Sequence, residues 1–250
     1  SAIVAFQNRH KNNDLMPYVI FVMATTMAFF AVLSVFIANP FETLYQEVGN
    51  TLQESAVADG RGLNPLLQHP AMIIHPPILF IGYVGSVVPF AFAIAALITG
   101  KLGTGWIHTT RRWALTTWGF LGVGIVLGGK WAYVELGWGG YWAWDPVENA
   151  SLLPWLTATA YLHSVMIQER KGMLKVWNMA LVISTYLLSV FGTFLTRSGV
   201  VSSVHAFANS GLGPAFAVFI SVSTIASIGI LFYRRKDLKP DEEMESLVSR

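Results

Sequence analysis

The sequence predicts an all-α polytopic membrane protein with about six transmembrane helices. Of the 250 residues, 54% are hydrophobic and only 12% are charged, and the mean hydropathy is +0.52; these values are typical of membrane proteins. A bilayer core about 30 Å thick is crossed by about 20 apolar residues in a helix. Windows of that length lie near residues 17–38, 77–99, 113–134, 147–167, 175–196 and 214–233. We therefore expect residues 1–250 to form a single transmembrane helical domain.

Basic residues are concentrated in the connectors on one side of this predicted bundle. Twelve of the sixteen lysines and arginines lie in the two termini and in the second and fourth connectors. The positive-inside rule predicts that this side is cytoplasmic. With six spans, both termini are then cytoplasmic, and the connectors 39–76, 135–146 and 197–213 face the outside. The first of these is long, and we expect it to fold back onto the membrane surface as short helices.

Composition also excludes several classes of function. The chain contains no cysteine, which rules out disulfides, iron–sulfur clusters and a cysteine nucleophile within it. Any thiol chemistry must therefore come from a partner. The formal net charge is only +2 and the basic residues are sorted by membrane side, so no nucleic-acid partner is indicated.

The outer connector at 135–146 is unusually aromatic and leads into the sequence DPVE. Asp145 is a good helix N-cap, Pro146 suits the first helical position, and Glu148 completes a capping box for the fourth span. This pattern favours a structural role for both carboxylates over acid–base catalysis.

The aromatic residues before this cap are not explained by the helix itself. Interfacial anchoring accounts for Trp106, Trp113, Trp131 and Trp177, but it requires no glycine-interrupted turn. Such a short turn cannot bury its own rings, and an exposed apolar patch usually binds a partner. Its glycines permit close approach of the backbone. We predict a platform for a flat hydrophobic ligand, formed by Trp138, Gly139, Gly140, Tyr141, Trp142 and Trp144 and adjoining Asp145.

Two histidines belong to the same predicted outer face. His75 precedes Pro76 and Pro77, which fix the backbone where the first outer connector enters the second span. His205 lies in the third outer connector. Two imidazoles on either side of an aromatic platform would give a haem iron two axial nitrogens. His10 and His108 lie among cytoplasmic charges and are expected to be surface residues, whereas the role of His69 stays open.

Three further ionisable residues lie where the membrane pattern does not predict them. His163 falls seventeen residues after Pro146, about 26 Å along a helix at 1.5 Å per residue. An ionisable residue inside the membrane is a candidate functional site, and the alternative is a hydrogen bond to a neighbouring helix. Lys130 and Arg197 lie near the outer face, where they either reach lipid headgroups or pair with ligand carboxylates such as haem propionates.

Three segments of the chain resemble a known family. Residues 138–145, WGGYWAWD, resemble the WWD signature of haem-handling membrane proteins, and the extension PVENASLLPWL resembles the CcmF family of haem lyase subunits in system I cytochrome c maturation. HPPILFIGYVG at 75–85 and TRSGVVSSVHAF at 196–207 are similar to its other characteristic segments. The chain resembles a central portion of such a protein.

The resemblance implies specific roles. His75 and His205 match the two outer-face ligands of incoming haem, and His163 matches one ligand of a resident b-type haem whose other ligand lies outside this chain. The implied activity is attachment of haem, delivered by the haem chaperone CcmE, to the CXXCH motif of apocytochrome c through thioether bonds. Other maturation subunits of the CcmH/CcmI type are implied partners, and the bacterial inner membrane is the implied location, with the WWD loop periplasmic. The resemblance identifies no catalytic residue.

Two other functions are compatible with an aromatic outer loop. One is a membrane protein that binds or delivers haem without lyase activity. The other is an ordinary small-molecule transporter in which the aromatic loop gates entry. The segments on either side of the WWD signature favour the lyase over the first of these, and a purified protein without a Soret band would support the second.

Overall fold

A computed structural model describes residues 1–9, 11, 14–41, 43, 45–48, 51–54, 59, 62–205 and 211–240. The structure is a bundle of α-helices, which confirms the predicted fold class, and every predicted span is helical. The helices are α1 (Ala2–Gln7), α2 (Met16–Phe36), α3 (Ala71–Gly85), α4 (Val87–Thr99), α5 (Gly105–Glu135), α6 (Pro146–Lys171), α7 (Lys175–Arg197) and α8 (Gly213–Arg234). The acidic composition of residues 237–250 predicts a solvated tail, and most of this segment lies outside the described residues.

Within the described residues, four stretches are long and apolar enough to cross a membrane. They are α2, α3 together with α4, α7 and α8. In α2 and α8 little of the apolar window is buried, 17% and 11%, so these helices present hydrophobic side chains outward, as membrane spans do. Helices α5 and α6 contain 31 and 26 residues but carry more polar side chains, and their crossing of the membrane stays a prediction.

The first outer connector differs from the expected short helices. It contains an antiparallel pair of strands, β1 (Tyr45–Val48) and β2 (Thr51–Glu54), followed by a 3₁₀ turn at Pro65–Leu67. The expectation of helices alone was wrong because YQEV and TLQE lack an apolar period of 3.6 residues. The intervening Gly49-Asn50 sequence is of a type common in hairpin turns.

Helix α3 begins at Ala71, earlier than the expected start near residue 77. Pro76 and Pro77 therefore lie inside the helix, where a missing N–H leaves the carbonyl four residues earlier without its helical partner. His75 is consequently on a helix and not at the end of a loop. Its position is set by how α3 packs on its neighbours.

Helices α3 and α5 approach closely through glycines of α5. A Cβ built on Gly124 would lie 2.8 Å from the Cα of Leu79, and one built on Gly128 would lie 2.5 Å from Cε1 of His75. Small residues spaced four apart allow this kind of close helix contact in membranes. The main core lies on the other side, around α4, whose residues from Val87 to Leu97 are buried.

The basic end of the bundle is defined by polar contacts between helix ends. Arg234 Nε donates to the carbonyl oxygen of Leu97 at 3.0 Å, and Lys101 pairs with Asp14. The ends of α4 and α8 and the start of α2 therefore meet, as the predicted alternation of spans requires.

Two tryptophans predicted as interfacial anchors lie in the protein interior instead. Trp106 and Trp131 are 1% and 0% exposed, so the prediction was wrong for both. Trp177, by contrast, is 54% exposed. A hydropathy pattern indicates whether a tryptophan lies near the end of a span. It does not indicate whether the ring faces lipid or another helix.

Candidate functional site

A cavity of about 240 Å³ lies at the end of the bundle opposite the basic contacts, between α3, α5, α6 and the segment after α7. His75, Trp142, Glu148, Arg197 and His205 all line it. The structure thus brings together side chains from the three outer segments that the sequence singled out. Apolar side chains form much of the remaining wall, among them Met72, Leu79, Phe80 and Ile125.

His75 is held against α5 by a backbone hydrogen bond. Its side chain is buried, and its Nδ1 lies 2.8 Å from the carbonyl oxygen of Gly124. A carbonyl oxygen can only accept, so Nδ1 carries the proton and donates. The lone pair of the neutral ring is therefore on Nε2, the nitrogen that could bind a metal.

His205 is held by the N-cap residue of α6. Its Nδ1 lies 3.1 Å from Oδ2 of Asp145, and the two side chains are 15% and 9% exposed. An ionised carboxylate can only accept, so this ring also carries its proton on Nδ1 and has its lone pair on Nε2. The ring of Trp131 packs edge-on against the imidazole, with centroids 5.5 Å apart at 62°.

His69 has the opposite arrangement. Its Nδ1 accepts a hydrogen bond from the backbone N–H of Ala71 at 3.1 Å, and its Nε2 lies 3.9 Å from Oε1 of Glu135. The lone pair of the neutral ring is thus used within the protein. The structure answers the question left open by the sequence: His69 is a structural residue at the start of α3.

The capping box predicted at DPVE is present. Asp145 Oδ2 accepts from the backbone N–H of Val147 at 3.0 Å, and Glu148 Oε2 accepts from that of Asp145 at 3.2 Å. Glu148 Oε2 also accepts from the N–H of Ala143 at 2.9 Å. Both carboxylates therefore do more than cap the helix, since Asp145 also contacts His205 and Glu148 also holds the preceding loop.

This loop holds Trp144 in an unusual backbone conformation. Its φ is +59°, a left-handed value that costs about 1–3 kcal/mol for a bulky residue. The hydrogen bonds of Glu148 fix the residues on both sides, and Asn149 Nδ2 donates to the Trp144 carbonyl at 3.0 Å. The indole is 71% exposed.

The aromatic residues of the loop do not form one continuous platform. Trp142 lines the cavity and meets the ring of Trp144 edge-on, with centroids 6.3 Å apart. Tyr141 stacks on Tyr133 at 4.4 Å and is exposed. Trp138 is half-buried and packs against the buried cluster of Trp131, Ala132 and Leu136.

The loop glycines are likewise not equivalent. Gly139 has φ +72°, a conformation that favours glycine. Gly140 has an ordinary φ, and an added Cβ there would make only distant contacts with Trp142. Of these two residues, only Gly139 has a backbone conformation that requires glycine. The expected close approach of the backbone to a ligand stays a prediction.

His163 lies elsewhere, on the outside of α6. It is exposed, and its Nδ1 lies 2.8 Å from the carbonyl oxygen of Thr159, so its lone pair is also on Nε2. Nearby, Trp118 Nε1 donates to Thr159 Oγ1 at 2.8 Å. If α6 crosses the membrane as predicted, an outward-facing imidazole on it would need a partner or ligand beyond this chain.

The two exceptional cations differ in position. Arg197 lies at the end of α7 and lines the cavity. Lys130 is exposed on α5, and it is absent from the residues that line the described cavity. The structure therefore favours Arg197 over Lys130 as a partner for an acidic group held between His75 and His205.

Sequence reasoning missed several residues of this site. Trp131 was assigned to the interface, and Ser203, whose Oγ donates to Asp145 Oδ2 at 2.7 Å, was not considered. Gly128, against which His75 packs, was also missed. A signal for Gly128 existed in the spacing of Gly124 and Gly128 on one face of α5, which is typical of close helix packing.

Comparison with known proteins identifies the family. Residues 1–201 match the family model described as cytochrome C assembly protein. The chain is 46% identical over 226 residues to the cytochrome c-type biogenesis protein CcmF of Pseudomonas aeruginosa, covering 90% of this chain and 33% of that protein. It is 47% identical over 216 residues to CcmF of Escherichia coli, covering 86% of this chain and 32% of that protein.

A solved structure of similar fold is described as the cytochrome c heme lyase CcmF. It superposes with a TM-score of 0.72 at 38% identity, over 93% of this chain and 34% of that one. The chain thus spans about a third of the length of these relatives. Because the family model covers most of its residues, the chain belongs to the cytochrome c assembly protein family.

Proposed function

We propose that this chain forms the haem-handling part of a cytochrome c haem lyase and holds haem with its iron between His75 and His205. The observation that carries the proposal is the shared cavity. Two imidazoles from distant segments line it. Each donates a hydrogen bond from Nδ1, so that the lone pair of Nε2 can bind a metal. The names of the relatives, cytochrome c-type biogenesis protein and cytochrome c heme lyase, support the same function.

The chemical character of the residues that line the cavity fits a haem. Apolar and aromatic walls suit the porphyrin face, and the Arg197 guanidinium suits a propionate. The cavity volume of about 240 Å³ is below the ~300–1,000 Å³ of pockets that enclose a drug-sized ligand. The cavity would therefore cover only part of a haem and leave the rest accessible for reaction with a partner.

The protein's contribution to the reaction is orientation. Haem supplies two vinyl groups, and each thiol of a CXXCH motif adds across one of them to give a thioether. The thiols are those of apocytochrome c, and the absence of cysteine from this chain agrees with that source. His75, His205 and the tryptophan loop would fix the position of one reactant relative to the other, an effect that can lower a barrier by about 7–11 kcal/mol.

The same proposal includes the location and the partners. The cavity end of the bundle faces the periplasm of the bacterial inner membrane, and both ends of this chain are cytoplasmic. Haem arrives there from the chaperone CcmE, and CcmH/CcmI-type subunits present apocytochrome c. His163 binds a resident b-type haem together with a ligand from outside this chain. The outward position of His163 on α6 supports this assignment.

Haem spectra of the full-length protein test the ligand assignment. We expect His75→Ala and His205→Ala each to lower the Soret absorption of the purified protein, because each removes one axial nitrogen. His69→Ala is the matched control, since His69 lies near the same end of the bundle with its lone pair already used. Unchanged Soret absorption in both ligand variants would refute the proposal.

A second experiment separates a lyase from a protein that only binds haem. Cells that lack the native protein are complemented with wild-type or variant protein, and covalently attached cytochrome c is measured by haem staining after denaturing electrophoresis. Wild type should restore the stained band, and His75→Ala should not. If the wild-type protein binds haem but does not restore the band, the haem-binding part of the proposal stands and the lyase activity is excluded.

A further inference from the structure

One oxygen atom, Oδ2 of Asp145, accepts hydrogen bonds from three donors in two segments of the chain. It accepts from the N–H of Val147 at 3.0 Å, from Ser203 Oγ at 2.7 Å and from His205 Nδ1 at 3.1 Å. The capping role uses only the first of these hydrogen bonds. The other two connect the first turn of α6 to the connector after α7.

These contacts restrain both the tautomer and the orientation of the His205 ring, and both affect how it could bind a metal. The carboxylate fixes the proton on Nδ1, the edge of Trp131 fixes the ring plane, and the backbone N–H of His205 donates to Ser203 Oγ at 3.0 Å. A loop histidine would otherwise exchange between tautomers and rotamers. Binding a metal would then require ordering the ring first.

The two histidines of the cavity are held by acceptors of different charge. His75 donates to a neutral carbonyl and His205 to a carboxylate. A hydrogen bond from a ligating imidazole to a carboxylate raises the basicity of the other ring nitrogen more than one to a neutral acceptor. The two nitrogens offered to an iron are therefore unequal donors.

We propose that Asp145 is a positioning residue for the metal site: it presents Nε2 of His205 to the cavity and makes it the stronger of the two iron ligands. This inference rests on the proposed function, because it assumes that iron binds between His75 and His205. It adds a role for the aspartate at the end of the WWD sequence beyond starting helix α6. It also assigns the more weakly bound position to His75.

The alternative is that Asp145 only caps the helix, and substitution can separate the two roles. Serine is about as good an N-cap as aspartate, so Asp145→Ser keeps the cap and removes the carboxylate from His205. Asparagine also caps well and can still accept from Nδ1, but without the charge. Thermal unfolding of both variants should stay close to that of the wild type.

The test uses the full-length protein, with haem as the probe and two measurements. Loss of such an outer partner typically weakens metal binding about 10–100-fold, so we expect Asp145→Ser to weaken haem binding by that factor. The midpoint potential of the bound haem should rise, since a less basic ligand stabilises the ferric state less. Asp145→Asn should raise the potential with a smaller loss of affinity.

A double variant distinguishes positioning from a merely structural effect. In a His205→Ala background, Asp145→Ser should change haem binding little, because the residue through which Asp145 acts is gone. If Asp145→Ser lowers haem binding equally in both backgrounds, or leaves affinity and potential unchanged in the wild-type background, the inference is wrong. If His75→Ala and His205→Ala themselves keep full haem binding, the proposed function has failed instead.

Discussion

His75 of α3 packs directly against Gly128 of α5, so closely that a Cβ on Gly128 would lie 2.5 Å from the imidazole Cε1. Real Cβ atoms do not approach other atoms this closely, so any larger residue at 128 must displace the ring. The position of a predicted metal ligand thus depends on the absence of a side chain on the neighbouring helix.

Gly128→Ala should therefore lower haem binding at the outer site while the histidine itself is retained. The shifted ring would strain the hydrogen bond from Nδ1 to the Gly124 carbonyl. Gly119→Ala is the matched control on the same helix, because a Cβ there meets no atom within 4 Å. The Soret absorption of the two purified variants is compared with wild type. Equal loss in both, or in neither, would contradict the packing argument.

Charge reversal at the two outer cations should have unequal effects. Arg197→Glu places a carboxylate on the cavity wall, where it would repel a propionate, whereas Lys130→Glu changes an exposed site on α5. We expect weaker haem retention for Arg197→Glu and near wild-type retention for Lys130→Glu. Retention is measured by dialysis against apomyoglobin, a haem acceptor. Stronger loss from Lys130→Glu would reverse the assignment.

His163→Ala should remove a b-type haem without affecting the outer site. His163 is on the outside of α6, whereas His75 and His205 share the cavity. The measurement is the haem content per protein by pyridine haemochrome assay, in wild type and in the His205→Ala background. His108→Ala is the control, since His108 lies at the basic end, with its Nδ1 3.5 Å from Oε1 of Glu169. Additive losses for His163→Ala and His205→Ala support two sites, and non-additive losses would indicate one.

Trp144 should show a conflict between stability and binding. Trp144→Gly removes the strain of the left-handed backbone, about 1–3 kcal/mol, so the thermal unfolding temperature should rise or stay unchanged. The same variant loses an exposed indole beside Trp142 and should bind haem less tightly. Trp144→Phe retains both strain and ring and serves as the control. A large drop in unfolding temperature for Trp144→Gly would show that the indole itself stabilises the loop.

Much of the architecture follows from local features of the sequence. Helix lengths, the start of α6 after its N-cap Asp145 and the two ends of the bundle depend on hydropathy, capping and charge, which act over a few residues or over one span. The same local features explain one of the errors in the first outer connector, where a long mixed segment was expected to form short helices only. The only local signs of the strands at Tyr45–Val48 and Thr51–Glu54 were the Gly-Asn pair in the sequence between them and the absence of a helical period.

The sequence by itself determined which segments carry the candidate ligands and that they belong to one end of the bundle. Tertiary structure decided which of the outer histidines present a free lone pair. The Nδ1 of His75 and that of His205 each donate to an acceptor, whereas the Nδ1 of His69 accepts from a backbone N–H. The partners of His75 and His205 lie 49 and 60 residues away in the chain. Contacts at such separations arise from the packing of helices on one another, and no local periodicity encodes them.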